Sequence, residues 1–264
     1  LILSILALES AHSVRFLYQH FLSGITEKSL NAFYYACSYA KIDYSRFMNT
    51  TAKTALKVIP DSLKTQPVFL CVDDTMVPKS GTKFENVSKL FDHAAHNGSN
   101  YLNGHCFVSI MLCMPVWNQD KISYLSVPLG YRMWQKKESK LELAASMIRK
   151  VIPEFQNREH VIILCDSWYT KQNLVCIVNE YPNLDLIGNA RIDSAMYDLA
   201  PARTGHRERP AKHGKQLSVE TDFTFSDEKI GDYYTGVRRV LTRIFGSQEV
   251  LAYVTCLLYT SPSP

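Results

Sequence analysis

PVFLCVDDTMVPKSG at 67–81 and HVIILCDSWYT at 160–170 frame the part of the chain that decides its fold. Each begins with a short continuous apolar run, the pattern of a strand buried on both faces, and each run ends in acid: Asp73 and Asp74 in the first, Asp166 in the second. Between them lie two longer runs rich in β-branched and aromatic residues, GHCFVSIMLCMPVW at 104–117 and ISYLSVPLGYRMW at 122–134. The helix ESKLELAASMIRKVI at 138–152 follows, with Leu141, Leu143, Ala144, Met147, Ile148 and Val151 on one face. Beyond the second acid, KQNLVCIVNEY at 171–181 reads as a helix and LDLIGNAR at 184–191 as a strand. Three strands, helix, strand, helix, strand predicts an α/β protein with a mixed sheet and helices packed on it.

Working outward, residues 1–60 read as helical. SVRFLYQHFLSG at 13–24 and SLNAFYYACSYA at 29–40 carry apolar residues at helical spacing, and a third helix is expected from Arg46 to Val58, ending near Pro60. On the other side, QLSVETDFTF at 216–225, YYTGVRRVLTRIF at 233–245 and QEVLAYVT at 248–255 alternate, with breaks expected at Ser226–Lys229 and Gly246–Ser247. They predict β-hairpin elements. The expected organisation is a helical region over 1–60, an α/β core over 61–200, a basic loop and β-rich segment over 201–255, and a non-native or disordered tail over 256–264.

The composition is that of a folded globular protein: 264 residues, 46% hydrophobic and 20% charged. LILSILALESAHSVRF comes closest to a membrane span or leader, but Glu9, His12 and Arg15 interrupt it and no basic segment precedes it. No membrane partner is expected. The seven cysteines form no CxxC pair, which argues for free thiols in a reducing compartment and against a zinc site.

The formal net charge is +4, and one segment carries all of it. RTGHRERPAKHGK at 203–215 holds five of the 29 basic residues (Arg203, Arg207, Arg209, Lys212, Lys215) and one of the 25 acidic ones, so the remaining 24 of each sign cancel. Gly205, Pro210 and Gly214 make it a loop. Such a loop suits a phosphate backbone or a solvated surface, and composition alone does not separate the two.

Carboxylates that end neighbouring strands are placed to hold Mg²⁺, a hard cation that takes oxygen ligands and keeps several waters. The bland alternative for each is a cap on the following turn. Taken together, VDDTMVPKSG at 72–81, LFDHAAHNGSNYLNGH at 90–105, LCDSWYT at 164–170 and YDLAPARTGHRERPAKHGK at 197–215 resemble a bacterial insertion-sequence transposase of the DDE superfamily. That resemblance implies an RNase H-like mixed sheet flanked by helices, with Asp74 as first metal ligand, Asp73 beside it, Asp166 as second ligand, and a β-rich insertion. It also implies Mg²⁺ or Mn²⁺ as cofactor, mobile-element ends and target DNA as partners, a homodimer, and a cytoplasmic, nucleoid-associated location. Two ions would clamp the attacking and leaving oxygens of a phosphodiester. Arg203, Arg207, Arg209, Lys212 and Lys215, with Lys79 in the PKSG turn, would neutralise DNA phosphates.

The chain departs from the family in its third acid. A late helix with Y-x2-R-x3-E-x6-K does not occur, and Glu208, Glu220, Glu228 and Glu249, the acids in the right order, lie in loop, turn or strand-like segments. The closing CLLYTSPSP resembles translated adapter sequence, and the chain starts at Leu1, so a truncated transposase with weak or no activity is expected. Trp168 and Tyr169 are read as packing residues rather than base-stacking ones. His93, His96 and His105 are further candidates for phosphate contacts. The runner-up is a non-catalytic DNA-binding relative. An aspartyl-phosphate hydrolase ranks last, because that chemistry wants Asp-x-Asp and here the acids adjoin.

Overall fold

The computed structural model describes residues 1–8, 13–81, 83–91, 100–191, 193–202 and 211–256. The tail beyond Cys256 lies outside them. The chain divides into two units, Leu1–Phe47 and Met48–Pro264.

The first unit is helical: α1 (Ile2–Ala7), α2 (Val14–Leu17), a π-type turn over Tyr18–Leu22, α3 (Ser23–Ile25) and α4 (Leu30–Tyr39). Ser13 caps α2, its hydroxyl accepting from the Phe16 N–H at 3.1 Å. Helix α5 (Tyr44–Lys57) follows, and its buried residues Met48, Ala52 and Ala55 belong to the core of the second unit.

The second unit is built on β1 (Val68–Pro78), β2 (Ser88–Phe91), β3 (Tyr101–Asn118), β4 (Lys121–Met133), α6 (Lys140–Val151), β5 (Val161–Cys165), α7 (Gln172–Val175) and β6 (Leu184–Gly188). Strand β1 pairs antiparallel with β3 and β3 antiparallel with β4, while β1 pairs parallel with β5 and β5 parallel with β6. The order β4-β3-β1-β5-β6, with β2 beside the start of β3, is the RNase H-like arrangement. Gln119 and Asp120, both at positive φ, make the tight β3–β4 turn.

One face of this sheet is dry. Leu70 and Val72 of β1, Ile110 and Leu112 of β3 and Ile163 of β5 meet Leu143, Ala144, Met147, Ile148 and Val151 of α6, with Phe155 and Leu174 closing the cluster. On α6 these residues recur at helical spacing, which is why that stretch is a helix and why it lies on the sheet. The alternate strand residues Phe69, Cys71, Met111 and Cys113 are only partly buried.

A second sheet follows: β7 (Met196–Tyr197), β8 (Gln216–Leu217), a short helix α8 (Val219–Asp222), β9 (Phe225–Ile230), β10 (Tyr233–Thr242) and β11 (Glu249–Cys256). Strand β10 pairs with β11, β9 and β7, around a small core of Leu217, Phe223 and Val240.

Three sequence expectations are corrected. Asp73 and Asp74 do not end β1; pairing with β3 carries it on to Pro78, and only the parallel ladder with β5 stops at Val72 opposite Cys165. QLSVETDFTF is not one strand, because the Ser218 hydroxyl accepts from the Glu220 N–H and starts α8. The expected break at Ser226–Lys229 lies inside β9, and the turn comes at Gly231, whose φ is +62°.

Candidate metal and nucleic-acid site

The pleat of β1 separates its two acids. Asp74 lies opposite Val108, a fully buried residue, and so shares a face with Leu70 and Val72. Asp73 lies opposite Ser109 and is exposed; its carboxylate accepts the Asp74 N–H at 2.7 Å.

Asp74 is held by three donors. The Tyr169 hydroxyl donates to Oδ1 at 3.1 Å. The Lys140 ammonium and the Cys106 thiol donate to Oδ2 at 2.9 and 3.2 Å. Each donor arrives for a local reason. Cys106 is on the buried face of β3. Lys140 is the first residue of α6, whose start is set by a capping box: the Ser139 hydroxyl accepts from the Glu142 N–H while the Glu142 carboxylate accepts from the Ser139 N–H. Tyr169 is fully buried just beyond β5. Burial pushes the Cys106 thiol up to about 12, with the hydrogen bond to Asp74 adding to it. Burial, and then the Asp74 charge, push the Tyr169 phenol up as well. Both groups therefore remain protonated donors at neutral pH.

Asp166 is exposed at the end of β5. Its Oδ1 accepts the N–H groups of Trp168 and Tyr169 at 3.0 and 3.1 Å, and its carbonyl accepts the Thr170 hydroxyl at 2.7 Å. Asp166 thus does cap the following turn, but only with Oδ1; no hydrogen bond reaches Oδ2 from the described residues. Tyr169 joins the two acids, since its N–H bonds Asp166 and its hydroxyl bonds Asp74. Gly188 lets this turn close, because a Cβ there would collide with the Thr170 hydroxyl.

A basic and aromatic group extends outward from Lys140. Lys140 lies 4.3 Å and Lys171 4.6 Å from the Trp168 ring centroid, and Lys136 and Lys140 both lie 5.8 Å from that of Trp134. Tyr169 meets Trp168 edge-on at 4.9 Å. Tyr169 is buried, whereas Trp168 keeps 36% of its exposure and is not a buried packing residue. Sequence reasoning missed Lys140, although the Ser139–Glu142 capping box marks where α6 begins and so places that lysine at its head.

The other expected contacts are dispersed. Arg203, Arg207 and Arg209, together with Glu208, His93 and His96, lie outside the described residues. Lys212 is exposed. Lys215 donates to Asp222 at 2.5 Å. Lys79 sits 5.5 Å from the Phe84 ring, and the His105 ring nitrogen Nε2 is 2.8 Å from the Glu85 carbonyl. Glu220, Glu228 and Glu249 lie on α8, β9 and β11, and no described contact joins them to Asp74 or Asp166. No cluster of three or more His, Cys, Asp or Glu side chains placed to hold a metal forms among the described residues.

The donor chemistry of Asp74 and Asp166 nevertheless suits a divalent ion. Both are hard carboxylates, Oδ2 of Asp166 is open, and Oδ2 of Asp74 already holds a positive group, the Lys140 ammonium.

A family model described as a DDE superfamily endonuclease matches residues 3–241. Among solved structures, the Mos1 strand transfer complex matches at 13% identity and a TM-score of 0.25, over 73% of this chain and 58% of that one. A pre-cleavage Mos1 transpososome matches at 14% identity and a TM-score of 0.24, over 73% of this chain and 59% of that one. The chain thus spans about three-fifths of the length of the Mos1 chains it matches. A comparison with curated proteins finds no match.

Proposed function

The chain belongs to the DDE superfamily endonucleases, and from that premise we propose that it carries two carboxylates of a metal-dependent DNA transposase, Asp74 and Asp166. The observation that carries this reading is their placement: one on β1 and one just past β5, adjacent parallel strands, tied together through Tyr169.

Asp74 and Asp166 would hold Mg²⁺ or Mn²⁺, with Asp73 alongside. A bound ion would supply Lewis-acid polarisation of a phosphodiester. The chain's own residues do the rest. Tyr169 and Cys106 fix the Asp74 carboxylate, and the Asp166 cap fixes the second acid through Oδ1, with no hydrogen bond to Oδ2 from the described residues. Lys136, Lys140 and Lys171 supply positive charge beside the acids, and Lys212 with Arg203, Arg207 and Arg209 neutralises phosphates further along the DNA. Lys79 and Lys215 are weaker members of that group, Lys215 because Asp222 already holds it. A complete site of this kind takes a third acid, which no contact among the described residues supplies, and this chain is expected to cut DNA weakly or not at all. Mobile-element ends, target DNA, a homodimer and the bacterial insertion-sequence type, with its cytoplasmic, nucleoid-associated location, remain part of the proposal. No described helix is long and apolar enough to cross a membrane.

The test is nicking of supercoiled DNA with Mn²⁺, together with DNA binding with and without metal. Metal-dependent nicking or metal-enhanced binding that Asp74→Asn and Asp166→Asn both remove supports the reading. Binding that needs no metal and survives Asp166→Ala favours a non-catalytic DNA-binding relative instead.

A further inference from the structure

Among the described residues, the ion pair at Asp74 is the one in which both side chains are most withdrawn from solvent. The Asp74 and Lys140 side chains keep only 12% and 16% of their exposure, whereas Arg149–Glu180 keeps 45% and 40% and Arg191–Asp193 keeps 73% and 65%. Desolvated charges attract strongly, and a charge left alone in such a place is costly. The lysine is also delivered rather than left to wander. The capping box fixes it at the head of α6, and its ammonium rests against the Trp168 ring. Both carboxylate oxygens are engaged, Oδ1 by the Tyr169 hydroxyl and Oδ2 by the Cys106 thiol and the Lys140 ammonium, and of these donors only the ammonium carries a charge that repels an arriving cation. Two cations cannot share Oδ2 at hydrogen-bonding distance without strong repulsion.

We propose that Lys140 is the resident counter-cation of Asp74, and that a divalent ion binds there by displacing its ammonium from Oδ2. This rests on the reading of Asp74 as a metal ligand. Lys140 is then a positioning residue. It holds the half-buried carboxylate in place before metal arrives, and it sets how tightly metal binds. The displaced ammonium keeps a second seat against Trp168, so the exchange alters the surroundings of that indole.

The experiment is Mn²⁺ titration of the full chain by calorimetry, with tryptophan emission followed on adding Mg²⁺. Lys140→Met is expected to bind Mn²⁺ about tenfold more tightly than wild type, the scale of coupling between close charges. Lys140→Arg, which keeps the positive charge, is expected to behave as wild type. Mg²⁺ is expected to change the tryptophan emission of the wild type and not that of Lys140→Met. Should Lys140→Met fold poorly, Lys140→Gln makes the same comparison with a polar neutral group. If neutral variants bind Mn²⁺ no more tightly than wild type while Asp74→Asn abolishes binding, the exchange is wrong and the metal reading stands. If Asp74→Asn binds Mn²⁺ as wild type does, Asp74 is not a ligand and both fall.

Discussion

At the scale of the residue, the pleat gives two adjacent aspartates different environments. Asp73 is exposed, while Asp74 is turned inward to Tyr169, Cys106 and Lys140. Tyr169→Phe removes one donor from a largely buried carboxylate, and urea denaturation should show a loss of about 1–2 kcal/mol. Cys106 carries a pH signature. Its thiol is raised to about 12, above the ordinary value of 9.0, so the folded state holds that proton more tightly than the unfolded chain does. The stability this contributes is complete below about pH 9 and is lost as pH rises towards 12. Between about pH 9 and 11, stability should therefore fall less steeply in Cys106→Ser, whose hydroxyl does not titrate, than in wild type. A thiolate-specific reagent near pH 8 should label the exposed Cys37 well before Cys106 or Cys71, whose thiol burial also pushes up to about 12.

At the scale of the element, the capping box of α6 does two jobs: it starts the helix and it places Lys140. Ser139→Ala should cost about 1 kcal/mol in chemical denaturation. It should also loosen the Lys140–Asp74 pair, which metal titration would register as tighter Mn²⁺ binding. Gly188→Ala presses on the Thr170 hydroxyl and should disturb the Asp166 turn, lowering the melting temperature and weakening metal binding together. The main strands and α6 were legible in the residues because each carries one strong period, continuous for buried strands and helical for α6. The extension of β1 past its acids was not, since it depends on pairing with β3 thirty residues further along. Nor was α8, where one serine cap outweighs an alternating pattern. Lys140 was hidden for another reason. A lysine at a helix start looks like any solvated lysine until the strand carrying Asp74 is laid beside it.

At the scale of the whole molecule, the RNase H-like sheet acts as a frame that brings residues 74, 106, 140, 166 and 169 together from four segments. Its dry face holds that frame, so Ile148→Ala or Leu70→Ala should cost about 2–5 kcal/mol. Charge is arranged on the same scale, with the excess gathered in residues 203–215 and more lysines beside the acids. DNA affinity should consequently fall linearly on a logarithmic scale as salt rises, with a shallower slope once Lys212, Arg207 and Arg209 are neutralised. The most direct measurement is to load the full chain with Fe²⁺, add ascorbate and peroxide, and map where hydroxyl radicals cut the backbone. The account predicts cuts confined near residues 73–75 and 165–168, lost in both Asp74→Asn and Asp166→Asn. Cuts elsewhere, or an unchanged pattern in those variants, would contradict a shared metal site at Asp74 and Asp166.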